Sequence, residues 1–191
     1  MPAPARLHVT LLTPDGDADA RAELELAYPD VDRVASDSSR WSRDAQGFST
    51  SAPPGEYKLC VSGGELAPWC ETVHVAAPET SLTVRREPGI ETSLRFLLPW
   101  PAAAESIQHI DLRVEVWDAR GQRINRQSVF MSRGGTDRDR LGAPSPPLPF
   151  RLAPGTYRVR AERVGRGGRT VEGELVVPSP PGAEPLLLDL R

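Results

Sequence analysis

Ala52-Pro53-Pro54-Gly55-Glu56-Tyr57-Lys58-Leu59-Cys60-Val61 returns one hundred positions later as Leu152-Ala153-Pro154-Gly155-Thr156-Tyr157-Arg158-Val159-Arg160-Ala161. A Pro-Gly corner followed by alternating apolar and polar residues predicts a tight turn feeding a half-buried strand. One turn-strand unit recurring at a domain-sized interval predicts two copies of one all-β module, residues 1–87 and residues 88–191. Each copy is near the ~100-residue size of an immunoglobulin-like sandwich. Twenty prolines and sixteen glycines punctuate short apolar runs. Together they stay below the density of low-complexity disorder.

Working outward from the first corner, Leu7, Val9 and Leu11 alternate with polar neighbours, and Thr13-Pro14-Asp15-Gly16 supplies a turn. Ala22, Leu24 and Leu26 alternate again. Residues 29–47 are polar and read as a long loop carrying an exposed Trp41. After the Tyr57 strand, Ser62-Gly63-Gly64 turns the chain into a return strand from Trp69 to Val75, and Leu82 and Val84 close the module. Glu87-Pro88-Gly89 is a short linker. In the second module Leu94 to Leu98 opens, and Pro99 to Glu105 suggests a helical turn. Leu112, Val114 and Val116 lead to Trp117-Asp118-Ala119-Arg120-Gly121, a turn that parallels Pro14-Asp15-Gly16. Residues 132–149 form a second long loop, and Val171 to Val177 and Leu186 to Leu190 complete the set. No stretch longer than a turn has helical periodicity.

Charge is unevenly divided. Residues 1–87 hold 8 basic and 14 acidic side chains, and residues 88–191 hold 15 and 12, against a total of −3. Neither half is basic enough to argue for nucleic acid. No window approaches the ~18 apolar residues of a membrane span. Met1-Pro2-Ala3-Pro4-Ala5-Arg6 has no apolar leader region, so the expectation is a cytoplasmic protein, extracellular only if the sequence is truncated. All but one of the basic residues are arginine, the exception being Lys58.

The stretch Arg43-Asp44-Ala45-Gln46-Gly47-Phe48, running on into Ala52-Pro53-Pro54-Gly55-Glu56-Tyr57-Lys58-Leu59, resembles the carboxypeptidase regulatory-like domain, a transthyretin-like β-sandwich. That family has an Asp-x-x-Gly-x-Phe strand leading into Leu-Pro-Pro-Gly-x-Tyr. The second module keeps Asp118-Ala119-Arg120-Gly121 and the Tyr157 corner but lacks the Asp-x-x-Gly-x-Phe element. The resemblance implies two tandem immunoglobulin- or transthyretin-like antiparallel β-sandwiches, and a family that is mostly accessory or adhesive. Its motifs specify turns and carry no catalytic residues.

Among residues with chemistry, Cys60 and Cys70 come first. Strand parity turns both outward, and the short connection places them opposite each other. A cross-hairpin disulfide, two free thiols in a reducing cytosol, or a metal site with His74 are the open readings. His8, His74 and His109 fall in separate elements, and no nucleophile-elbow pattern accompanies the serines. Asp15, Asp17 and Asp19 begin like a calcium loop, but Ala20 and Leu26 stand where that loop needs Gly and Glu. Arg158, Arg160, Arg163, Arg166 and Arg169 suggest a basic surface on the last hairpin, without the aromatic platform of a nucleic-acid site. Trp41, Trp69 and Trp100 fall in loops or at strand ends, where an aromatic anchors an interface.

These observations point to a non-enzymatic interaction protein, an adaptor or structural subunit of a larger assembly, with no cofactor and with protein partners. Its interface candidates are Trp41, Trp69, Trp100, Arg138, Arg140, Arg163, Arg166 and Arg169. The two long loops, 29–47 and 132–149, are the expected contact regions, with Trp41 the principal anchor. An accessory carbohydrate-binding module using loop tryptophans is the alternative.

Overall fold

Gly55 and Gly155 share a φ of +158°, a conformation that L side chains rarely adopt. Two residues on, each tyrosine ring folds back across the bare glycine. A Cβ on Gly55 would lie 3.8 Å from the Tyr57 ring, and one on Gly155 would lie 3.6 Å from that of Tyr157. Both tyrosines are buried. The repeated Pro-Gly-x-Tyr phrase is therefore one corner used twice: glycine admits the backbone turn and gives the ring its seat.

In a computed structural model, residues 3–28, 34–36, 41–44, 47–99, 108–133, 144–165, 168–179 and 183–191 are described. The chain divides into two compact units, Met1–Gly89 with Arg151–Ala153, and Ile90–Phe150 with Pro154–Arg191.

The first unit contains β1 (Ala5–Leu12), β2 (Glu23–Ala27), β3 (Val34–Ser36), β4 (Ser42–Asp44), β5 (Gly47–Ala52), β6 (Gly55–Ser62), β7 (Trp69–Val75) and β8 (Glu79–Arg85). They form two sheets, ordered β4-β5-β1-β8 and β3-β2-β6-β7. The alternation seen in the sequence becomes burial. Leu7, Val9 and Leu11 from one sheet meet Leu24, Leu26, Tyr57, Leu59 and Val61 from the other in a single core. Each such side chain contributes about 1.5–3 kcal/mol by leaving water.

The second half of the chain contains β9 (Ile90–Leu97), β10 (Gln108–Trp117), β11 (Arg123–Arg133), β12 (Leu148–Leu152), β13 (Gly155–Arg163), β14 (Thr170–Val177) and β15 (Leu186–Asp189). Its sheets are β12-β9-β15 and β11-β10-β13-β14. Leu94, Phe96, Leu112, Val114, Val116, Phe150, Tyr157, Val159 and Leu188 are buried in it.

Strand order matches seven strands between the units: β1, β2, β3, β5, β6, β7 and β8 correspond to β9 through β15. Even the departure from antiparallel pairing repeats. β1 runs parallel to β8, and β9 runs parallel to β15. The architecture is all-β, two tandem sandwiches, and each contains a parallel pair among its strands.

Two sequence expectations need correction. The turn at Asp118-Gly121 does not correspond to that at Thr13-Gly16. β10 is the counterpart of β2, so the Asp118 turn joins the counterparts of β2 and β3, whereas the Thr13 turn carries the chain from one sheet to the other. Residues 29–47 are not one loop, because β3 and β4 lie within them. Of the second long loop, β11 takes its first residues and β12 its last, and residues 134–143 lie outside the described set, as does nearly all of the Pro99–Glu105 turn.

The Asp-x-x-Gly-x-Phe element has a local cause. Gly47 donates its N–H to Asp44 Oδ1 at 3.0 Å, closing the turn between β4 and β5. A Cβ on Gly47 would collide with the Val9 carbonyl.

Candidate functional site

On β10 the buried apolar residues are Leu112, Val114 and Val116, so Arg113, Glu115 and Trp117 project from the opposite face. Cross-strand register then builds rows of side chains on that face, running from β11 to β14. One row reads Arg126, Glu115, Arg160, Glu172. The next reads Arg123, Trp117, Arg158, Glu174, where a register shift between Val116 and Trp117 brings Arg123 opposite the tryptophan. A third reads Ser128, Arg113, Glu162, Thr170.

Directly opposed unlike charges stabilise a sheet by roughly 0.2–1 kcal/mol each. Glu115 is the hub. It is buried, and its Oε1 lies 3.0 Å from Arg123 Nη1 and 3.9 Å from Arg126 Nε. Arg113 and Glu162 form an exposed pair at 3.6 Å. The Arg158 guanidinium lies over the Trp117 ring, 4.9 Å from its centroid, so the ring's face is already taken by a cation.

Where the β10–β11 turn meets this face there is an open depression of about 540 Å³, lined by Asp118, Thr156, Arg158, Glu172 and Glu174 among others. Asp118 serves the turn, because its Oδ1 accepts N–H groups from Arg120 at 3.0 Å and Gln122 at 2.8 Å. Along the strand edge, Phe130 is 63% exposed and stacks on His109 at 4.7 Å.

The residues singled out in the sequence are scattered differently from expectation. Trp41 is not exposed. It packs, half-buried, against the core of the first sandwich, as Trp69 does. Arg158 and Arg160 share the outer face, but Arg163 has the opposite parity, opposite Leu112, and Arg169 stands at the turn into β14. The arginines are thus not a basic patch, since Glu115, Glu162, Glu172 and Glu174 are interleaved with them. Trp100, Arg138, Arg140 and Arg166 lie outside the described residues.

Cys60 and Cys70 sit directly opposite each other in the β6–β7 register, 4.1 Å apart at Cα, and are joined by a disulfide. His74 is not drawn into a metal site. Among the described residues no group of three or more His, Cys, Asp or Glu is placed to hold a metal ion. His8 Nδ1 lies 2.9 Å from Ser49 Oγ, which Arg6 also approaches at 3.4 Å. No carboxylate completes that pair among the described hydrogen bonds.

Arg86 went unread in the sequence. It is fully buried, and its guanidinium holds Asp19 at 2.6 Å and the carbonyls of Gly63, Leu66 and Ala67 at 3.0 Å each. It fixes the β6–β7 loop. That role is structural.

No protein-family model matches the chain, and no curated protein sequence does. Among solved structures it is similar to the Bacillus anthracis TIE protein, at 10% identity and a TM-score of 0.35, covering 97% of this chain and 33% of that one. A DUF3823 family protein from Bacteroides ovatus matches at 11% identity and a TM-score of 0.33, covering 92% of this chain and 100% of that one. BcpA, the major pilin subunit of Bacillus cereus, matches at 11% identity and a TM-score of 0.38, covering 90% and 67%. The chain spans about a third of the TIE protein's length.

The cytoplasmic expectation is corrected here. A cross-strand disulfide belongs to an oxidising compartment, since cytosolic thiols are kept reduced. Among the described residues, no helix is long and apolar enough to cross a membrane.

Proposed function

We propose that this chain is a non-enzymatic assembly or adaptor subunit acting outside the reducing cytosol, with the outer face of β11-β10-β13-β14 as its contact surface. The observation that supports this most is the ordered alternation of charge on that face, supported from beneath by a packed sheet. Fixed charges in fixed rows offer a partner register and discrimination more than raw affinity. The face is bounded by β11 and β14, each of which is paired on one side only among the described strands. The Cys60–Cys70 bond supports the compartment. We also assign the first sandwich to the carboxypeptidase regulatory-like class, on the Asp44–Gly47 turn and the Tyr57 corner.

Carbohydrate binding is the second reading, favoured by the depression lined by Asp118, Arg158, Glu172 and Glu174. It has less support from the loop tryptophans, because Trp41 and Trp69 pack on their own core.

Titration calorimetry with soluble glycans, alongside partner capture by the immobilised chain, tests the two. Partner capture that falls at least tenfold in a Trp117→Ala/Arg158→Ala variant of unchanged melting temperature supports the assembly reading. Glycan heat that disappears in the same variant supports the second. Equal capture by variant and parent would place the contact surface elsewhere.

A further inference from the structure

The outer face of the second sandwich is polarised from edge to edge. In two of the three rows β11 ends with a cation, Arg126 or Arg123, and β14 ends the same rows with an anion, Glu172 or Glu174; the third ends on Ser128 and Thr170. Both edges belong to one sheet, and every neighbouring pair in it is antiparallel. β14 of one copy and β11 of a second copy, laid side by side in the same orientation, therefore also run antiparallel. The joined sheet would read Arg126, Glu115, Arg160, Glu172 and then Arg126 of the next copy, with the alternation unbroken. The charges favour this junction. β11 against β11 would oppose arginines, and β14 against β14 would oppose glutamates.

We propose that a second copy of this chain is the occupant of these edges, joining β14 to β11 head to tail so that the β11-β10-β13-β14 sheet continues from one molecule into the next. The inference rests on reading this face as a contact surface. The junction uses two different patches, so it is heterologous and propagates into a fibre unless the rotation between copies closes a ring.

Sedimentation of the full chain across a concentration series tests it, in low and high salt. In low salt the chain is expected to grow through species larger than a dimer, and screening by salt to reverse the growth. Two charge-reversed chains provide the decisive arm: Arg123→Glu/Arg126→Glu, acidic at both edges, and Glu172→Arg/Glu174→Arg, basic at both. Each alone is expected to associate about 100-fold more weakly than the parent, since like charges are brought together. Mixed in equal amounts, they are expected to assemble again as an alternating polymer. Circular dichroism and melting of each variant separate lost folding from lost pairing. For a variant that does not fold, Arg126→Glu and Glu172→Arg as single reversals replace the pair.

A parent chain that stays monomeric at every concentration in low salt overturns the inference. Folded variants that fail to associate when mixed overturn it too. If the chain remains a monomer yet captures a different protein through Trp117 and Arg158, this inference fails while the assembly reading stands.

Discussion

Arg86 and Asp19, 67 positions apart in the chain, meet in a buried ion pair at 2.6 Å that ties the end of β8 to the β1–β2 connection. The same guanidinium collects carbonyls from Gly63, Leu66 and Ala67, so one side chain closes one end of the first sandwich. Its planar fork of donors suits this convergence in a way an ammonium does not.

Removing one partner should therefore cost more than an ordinary surface change. Arg86→Met leaves Asp19 buried without its cation and is expected to lower unfolding free energy by about 3–5 kcal/mol. Arg86→Lys is expected to recover only a minor part. Chemical denaturation of the full chain provides the measurement, and a loss within ~0.5 kcal/mol, the range of a neutral surface site, would sink the account.

The corner and the strands were legible because turn chemistry and alternation are local. Gly55, Tyr57, Leu59 and Val61 declare their roles within seven residues. The alignment of the two modules was not, and the reason is also local. Thr13 and Asp118 build the same kind of turn. Each accepts an N–H four residues on, Asp17 to Thr13 Oγ1 at 3.2 Å and Gln122 to Asp118 Oδ1 at 2.8 Å, with a positive-φ glycine at the third step. Sequence shows the turn but not which strands it joins. Arg86 was illegible for another cause: its partners come from residues 19 and 62–67, and nothing near it in the chain marks it apart from Arg85. Trp41 misled because its neighbours are polar, although its ring reaches the core. The outer charge ladder needed register, which periodicity alone does not supply.

The Cys60–Cys70 bond closes a sequence separation of 10 residues. In the chain-entropy account, a loop of that size constrains the unfolded state by about 2–3 kcal/mol. A Cys60→Ser/Cys70→Ser chain, or the parent under a strong reductant, is expected to lose that amount in denaturation. Equal stability with and without reductant would mean that the bond is absent in solution.

Tyr57 gives the fold a pH dependence of known sign. Its hydroxyl donates to the Pro53 carbonyl at 2.7 Å, and burial, followed by the neighbouring Tyr28, raises its pKa. The folded state therefore holds this proton more tightly than the unfolded chain. Its contribution is complete below the unfolded value near 10 and is lost as pH rises through the higher folded value. Tyr57→Phe is expected to cost about 0.5–1.5 kcal/mol at neutral pH and to show a shallower alkaline loss than the parent. Parallel alkaline profiles for the two proteins would contradict the assignment.

The two glycine corners offer the sharpest test of the repeat. Gly55 and Gly155 have the same φ, +158°, and each lies beneath the ring of the tyrosine two residues later. Alanine at either must adopt a backbone conformation unfavourable to an L side chain, while its methyl reaches only ordinary van der Waals contact with the ring. Where the native φ suits only glycine, the substitution costs more than the ~0.4–1 kcal/mol that the entropy gain returns elsewhere. Gly55→Ala and Gly155→Ala are therefore each expected to destabilise by about 1–3 kcal/mol, by similar amounts. Gly121→Ala is the control for φ alone: its φ is +75°, but nothing lies within 4 Å of its added methyl. With the ring only in ordinary contact, the backbone sets the cost, and Gly55→Ala/Tyr57→Leu is expected to cost the sum of its single changes. Clear non-additivity in this double-mutant cycle would show that methyl and ring do collide, and the cost would not be the backbone's alone.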